Sequence, residues 1–223
     1  MNIRHHLSEP LLIAYAAGSL PEAFSLVVAT HVSLCDDCRA GLAAMEALGG
    51  AILDDEMPDV TMSEIAMEGG LKAVLARLDG QESVPTPKAP RARDMRAKNL
   101  PAPLVDYLGG GLAGVKWQKL GLGVRQAILP TGKGATARLL LIPAGQAVPD
   151  HGHRGTELTL VLRGAFRDQT DRFGPGDLEI ATQDLEHRPT AEPGEDCLCL
   201  AATDAPLRFL GLIPRLLQPL FRI

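Results

Sequence analysis

Two groups of residues carry the types and spacings that bind metal ions. The first is His31, Cys35 and Cys38, an H-x3-C-x2-C string. Residues four apart share one face of a helix, so His31 and Cys35 point the same way, and Cys38 returns after a turn at Asp36 and Asp37. Three soft ligands then converge. A closed structural zinc site needs four tetrahedral N or S donors, and the adjacent pair His5 and His6 offers the fourth; spacing does not choose between them. Two thiolates neutralise a divalent ion, which lets such a site be partly buried. A C-x2-C pair also serves as a redox couple, but that motif usually starts a helix in a βαβ unit.

The second group begins at Gly145 and runs through His151, His153 and Glu157 to Gly164, a G-x5-H-x-H-x3-E-x6-G string. In an extended segment His151 and His153 face one side, and Glu157 opens the next strand. Downstream, Gly174-Pro175-Gly176-Asp177 forms a tight turn, and His187 follows as a fourth candidate ligand. Three imidazoles and a carboxylate suit Zn, Mn, Fe or Ni, with room for water or a substrate. Cys197 and Cys199 remain outside both groups. Two apart in a strand, they share a face and read as small buried core residues.

Different elements must position the two groups. Helices are expected after Ser8 (Leu11, Leu12, Tyr15, Ala16, ending at Gly18), from Pro21 and Glu22 to Cys35, from Gly41 to Leu48 with Gly49 and Gly50 closing it, and after Thr61. There, Thr61 and Glu64 fit a capping box, and Ile65, Leu71, Val74, Leu75 and Leu78 form an apolar stripe. Gln81 to Pro103 holds five prolines among Lys and Arg and reads as a semi-stiff linker. Beyond it, short apolar runs at Val124–Leu129, Ala137–Ile142, Leu158–Leu162, Leu178–Ala181 and Cys197–Ala201 read as strands of an all-β sandwich or barrel. The end, Leu207 to Ile223, is broken by Pro214 and Pro219 and is expected to pack on the barrel or on another subunit. The fold class is therefore multidomain α plus β: a helical unit over 1–80, a linker over 81–103 and a β-barrel over 104–223.

Composition bounds the function. With 46% hydrophobic and 22% charged residues in 223, the chain has the make-up of a globular protein. No stretch approaches the roughly 20 apolar residues of a membrane span, and His5, His6 and Glu9 stand where a secretory signal is apolar. A cytoplasmic protein without a membrane partner is expected. The net charge of -5 hides an asymmetry: residues 1–80 carry four basic and twelve acidic side chains, whereas 101–223 carry thirteen of each. An acidic front domain repels nucleic acid and attracts a protein with a basic face.

The string from Gly145 to Gly164 resembles the first cupin motif, and Gly174 to Asp177 with His187 resembles the second, which implies a small β-barrel. The first half resembles the zinc-binding anti-sigma domain, whose ligand pattern falls on His6, His31, Cys35 and Cys38 and so selects His6 over His5. Both halves in this order, with LSEPLLIAYAAGSLPEAFSLVVATHVSLCDDCRAGL and ATDAPLRFLGLIPRLLQPLFRI, resemble the ChrR family of anti-sigma factors over nearly the whole chain. That resemblance implies a non-enzymatic transcription regulator with Zn2+ in the helical domain and a second divalent metal in the cupin domain, at His151, His153, Glu157 and His187. It implies capture of an extracytoplasmic-function sigma factor of the sigma-E type, with release under singlet oxygen or related oxidants. The alternative is a metal-dependent cupin enzyme, a dioxygenase or isomerase, carrying an accessory zinc domain.

Overall fold

The computed structural model describes residues 2–56, 64–79 and 100–209. Four helices lead: α1 (Glu9–Ala16), α2 (Glu22–Val32), α3 (Asp36–Glu56) and α4 (Glu64–Asp79). Pro10 in the first turn of α1 gives up only an amide that a helix start leaves unbonded anyway. The α2 helix stops at Val32, but the amide of Cys35 still donates to the His31 carbonyl at 2.9 Å. The expected one-turn relation of His31 and Cys35 thus survives past the helix end. Contrary to expectation, α3 starts at Asp36 and not at Gly41, so Asp36 and Asp37 form its first turn where a separate turn was expected, and it does not close at Gly49 and Gly50. Neither glycine adopts the left-handed backbone that would end it, and the helix continues to Glu56. Thr61 and its capping box lie outside the described residues, as do residues 210–223.

The short helix α5 (Ala102–Leu108) precedes the β region. The strands are β1 (Gln118–Gly121), β2 (Val124–Ile128), β3 (Thr136–Ile142), β4 (His151–Gly152), β5 (Glu157–Arg163), β6 (Phe166–Arg167), β7 (Arg172–Phe173), β8 (Leu178–Ala181), β9 (Glu186–His187), β10 (Thr190–Ala191), β11 (Cys197–Thr203) and β12 (Arg208–Phe209). One antiparallel sheet has the order β1-β2-β3-β11-β5-β8, and two three-stranded sheets have the orders β10-β6-β7 and β12-β4-β9. The five long runs expected from the sequence correspond to β2, β3, β5, β8 and β11. Gly164, at the end of β5, has φ of +69°, and a Cβ there would sit 2.6 Å from the Asp196 carbonyl oxygen. No side chain fits that turn.

The large sheet is buried on both faces, one of them apolar and the other mixing apolar side chains with polar ones such as Arg138, Glu157, Thr159 and Glu179. Along β5, Leu158, Leu160 and Leu162 join one core cluster and Val161 the other; along β11, Leu198 and Leu200 alternate with Cys197 and Cys199 in the same way. The second face turns into the barrel with Phe166 and Phe173. The first face is covered by α2, whose Phe24, Leu26, Val27 and Val28 are buried in a cluster continuous with it. Burying such a side chain contributes about 1.5–3 kcal/mol, so the helical unit is docked on the barrel by an apolar seam. Polar contacts fix its rim: the Tyr107 hydroxyl donates to Glu22 Oε1 at 2.9 Å, and the Gly132 amide to Glu22 Oε2 at 2.6 Å.

Candidate metal centres

His6, His31, Cys35 and Cys38 bring their donor atoms together where the N-terminal segment crosses the α2–α3 turn. His6 Nδ1 lies 3.2 Å from Cys35 Sγ and 3.7 Å from Cys38 Sγ, and His31 Nε2 lies 3.3 Å from Cys38 Sγ. Tetrahedral zinc with bonds of about 2.0–2.3 Å sets its N and S donors about 3.6 Å apart, so the four residues fit the ion. Backbone amides support the sulfurs: Leu7 donates to Cys38 Sγ and Cys38 donates to Cys35 Sγ. Burial lowers the His31 pKa to about 4, outweighing the nearby Gly176 backbone, and so keeps the imidazole neutral and able to ligate. Burial likewise pushes the Cys38 thiol up to about 11, so its thiolate forms only against a cation. His6 is exposed, and the other three are buried.

His5 turns the other way, onto the barrel. The Arg4 and His5 amides both donate to Asp177 Oδ1, at 2.6 and 3.0 Å, and the Leu178 amide donates to the His5 carbonyl at 3.2 Å. The His5 ring packs on Phe173 with centroids 4.4 Å apart and sets Nε2 3.1 Å from Asp171 Oδ2. Asp177 therefore does more than close its own turn, where its Oδ2 accepts from the Gly174 amide. It also holds the segment that delivers His6.

Inside the barrel, β4 and β9 pair with His151 directly opposite His187, and His153 follows two residues on. The three imidazoles converge through one kind of atom. His187 Nε2 lies 3.1 Å from His151 Nε2 and 3.2 Å from His153 Nε2. Each ring is anchored by its other nitrogen: His151 Nδ1 donates to the Pro149 carbonyl at 2.9 Å, His187 Nδ1 to Asp168 Oδ2 at 2.8 Å and Glu179 Oε1 at 3.1 Å, and His153 Nδ1 faces Glu157 Oε2 at 3.2 Å. Three acceptor nitrogens pointed at one spot repel one another unless a cation or protons lie between them. Nitrogens around a tetrahedral ion of this class stand about 3.3 Å apart, and carboxylate or carbonyl partners behind ligating imidazoles are the usual support.

Glu157 is buried beside this cluster but is not among the donors that gather there; its Oε2 contact is to the far nitrogen of His153. Burial alone would raise its pKa, but the hydrogen bond from His153, with the charges of His151 and Arg138, holds it near 2. Burial works against a charged His187 as well, yet Glu179 and Asp168 raise it to about 9. Glu179 itself is pushed up to about 7 by burial. Asp168 and Glu179 were not singled out by sequence: each lies far from the histidine string, and nothing in their spacing marks them. Cys197 and Cys199 lie in the core with sulfurs 3.5 Å apart; the contact with Cys197, and burial, raise the Cys199 thiol well above the ordinary range.

The two centres are joined by one loop. Asp168 holds His187 with one carboxylate oxygen, and with the other it accepts from the Thr170 and Asp171 amides at 2.8 and 3.3 Å. Asp171 then meets His5, the neighbour of His6.

Comparison with known proteins agrees with this architecture. A family described as the ChrR cupin-like domain matches residues 111–206. The anti-sigma-E factor ChrR of Cereibacter sphaeroides is 63% identical over all 223 residues, covering 100% of both chains. A crystal structure of Rhodobacter sphaeroides SigE in complex with the anti-sigma ChrR aligns with a TM-score of 0.75 at 61% identity, over 91% of this chain and 100% of that one. With identity this high over the full length, the chain belongs to the ChrR family of anti-sigma factors, which are regulators rather than enzymes.

Proposed function

We propose that this chain sequesters an extracytoplasmic-function sigma factor of the sigma-E type in the cytoplasm and lets it go when singlet oxygen or a related oxidant appears. The observation that carries this reading is the full-length identity to an anti-sigma-E factor, one of whose family is crystallised with SigE. A physical feature supports it. On α4, Leu71, Val74, Leu75 and Leu78 recur at one-turn spacing and are 49–61% exposed; on α3, Leu48, Ile52 and Leu53 are likewise exposed. Two apolar helix faces left in water fit a partner that takes a helix into a groove, and the acidic front half suits a sigma factor's basic surfaces. No described helix is long and apolar enough to cross a membrane.

In this reading residues 1–80 are the capture unit, 81–103 the linker and 104–223 the cupin sensor. Zn2+ sits at His6, His31, Cys35 and Cys38, and a second divalent ion, Zn2+ or else Mn, Fe or Ni, at His151, His153 and His187, with Glu157 completing or steadying the set. Transcription from a sigma-E-type promoter by the purified polymerase should fall stoichiometrically as the zinc-loaded chain is added; undiminished transcription refutes capture. Leu75→Glu places a charge in the middle of the α4 stripe and should weaken capture about 30-fold or more, the effect of losing a buried anchor of about 2 kcal/mol. Its helicity should be unchanged, because Leu75 is exposed in the free chain. Wild-type affinity would remove α4 from the interface.

Release draws on the loop between the centres. Asp171→Ala removes the carboxylate that meets His5 but leaves Asp168 on His187. Capture should stay at wild-type strength while oxidant-induced release falls severalfold. His5→Ala should add little to that loss, because both substitutions cut the same contact. Full additivity of the two, or normal induction in either, would refute this route.

A further inference from the structure

We propose that the 174–177 turn of the barrel is a working part of the helical zinc site, with Asp177 as the residue that positions the ligand His6. This deepens the reading of His6, His31, Cys35 and Cys38 as a zinc site and rests on it. His6 is the weak point of that set. It is the exposed ligand, and it sits on the segment ahead of α1 rather than on a helix. On one side of it the Leu7 amide donates to Cys38 Sγ at 3.4 Å. On the other side the anchors are on the barrel: the Arg4 and His5 amides donate to Asp177 Oδ1, the His5 carbonyl accepts from the Leu178 amide, and the His5 ring lies on Phe173. His6 is therefore held between one anchor in the zinc site and another in the barrel wall.

Asp177 is a buried carboxylate, and such a group is tolerated only when hydrogen bonds satisfy it. Its Oδ2 takes the Gly174 amide and closes the turn, which leaves Oδ1 for the N-terminal segment. Hydrogen bonds to a charged acceptor are roughly twice as strong as neutral ones, so two amides on one carboxylate oxygen hold that segment firmly. A second observation seats the same turn against the zinc site. His31 faces Cys38 Sγ with Nε2, and its Nδ1 is buried behind the site without a partner in hydrogen-bond geometry. The Gly176 backbone lies beside this ring; its amide already donates to the Val161 carbonyl at 2.8 Å, so the group it offers Nδ1 is its carbonyl. Groups that orient a metal ligand from behind matter to the ion, and removing one typically costs about 10–100-fold in affinity. A shift of the turn would then loosen the helical zinc while every ligand stays chemically unchanged.

Full-length chain carrying Co2+ in place of zinc tests this. Thiolate-to-cobalt charge transfer marks the helical site alone, because the ligands proposed in the barrel are imidazoles and a carboxylate. Decay of that band in excess EDTA reads how fast the ion leaves. Asp177→Ala should lose cobalt about tenfold faster than wild type. His6→Ala should lose it faster still, and Asp177→Ala added to His6→Ala should change the rate by less than about twofold, because no ligand is left for it to position. In proton NMR, the cobalt-shifted ring signals that vanish in His6→Ala should broaden in Asp177→Ala. Arg4→Pro deletes one amide donor from the other side of the contact and leaves the barrel turn intact; it should speed cobalt loss as well, and it decides the matter if Asp177→Ala melts early. A wild-type rate in Asp177→Ala, or in Arg4→Pro where it stands in, overturns the proposal. So does a full tenfold effect of Asp177→Ala in the His6→Ala background, which would be a general loosening. A wild-type chain that never shows the thiolate–cobalt band refutes the zinc reading itself.

Discussion

Cys35→Ala and Cys38→Ala should each abolish sigma capture. Both sulfurs are buried within the cluster that also contains Leu7, Leu12, Phe24 and Leu42. The zinc proposed there ties the N-terminal segment to the α2–α3 turn, and structural zinc supplies folding free energy of about 10–16 kcal/mol in small zinc-dependent domains. Losing one thiolate forfeits most of that. The barrel still covers α2, so the loss should concentrate in α1, α3 and the segment before Ser8, and far-UV circular dichroism should show a partial fall in helicity with the β signal retained. Affinity for the sigma factor should drop by more than about 100-fold, equivalent to about 2.7 kcal/mol. Capture and helicity that persist after complete removal of metal would show that the cluster is not structural.

Changing His151, Glu157 or His187 to Ala should have the opposite profile, with capture intact and release under photosensitised singlet oxygen reduced to near the uninduced level. His151→Ala gives the cleanest version. Its Nδ1 is bonded only to the Pro149 carbonyl, so truncation removes one donor from the cluster without stranding a charge. His187→Ala instead strips the common partner from Asp168 and Glu179, leaving two buried carboxylates facing each other. An unpaired buried group costs several kcal/mol, so His187→Asn, which still offers a donor, is the companion variant. A sigma-dependent reporter, with and without photosensitiser, reads the result. Normal induction in all of these variants would make the barrel a passive domain.

Much of this was legible in the sequence because ligands obey short-range rules. His31 and Cys35 converge through a one-turn spacing, as expected, and Cys38 joins them from the first turn of α3, where a separate turn was expected; His151 and His153 converge through the two-residue repeat of extended backbone. The α/β division followed from periodicity. The end of α3 is not legible, because two adjacent glycines stop a helix only when one adopts the left-handed form, and neither Gly49 nor Gly50 does. Two-residue strands such as β4 and β9 are too short to show a period, yet their pairing sets His151 opposite His187. The docking of α2 was half visible. Unbroken apolar runs such as Leu160–Leu162 and Cys197–Ala201 require cover on both faces of the sheet, but nothing local says that a helix more than a hundred residues earlier supplies it. Asp177 and His5 were likewise beyond local rules, since their partnership spans 172 residues.

Sigma capture is tested most directly by isolating the untagged chain from the cells that make it and identifying what comes with it. A one-to-one complex with a sigma factor of the extracytoplasmic-function class is expected, with zinc bound and the complex lost after exposure to singlet oxygen. A chain recovered without any sigma factor, from unstressed cells in which that factor is present, would contradict it.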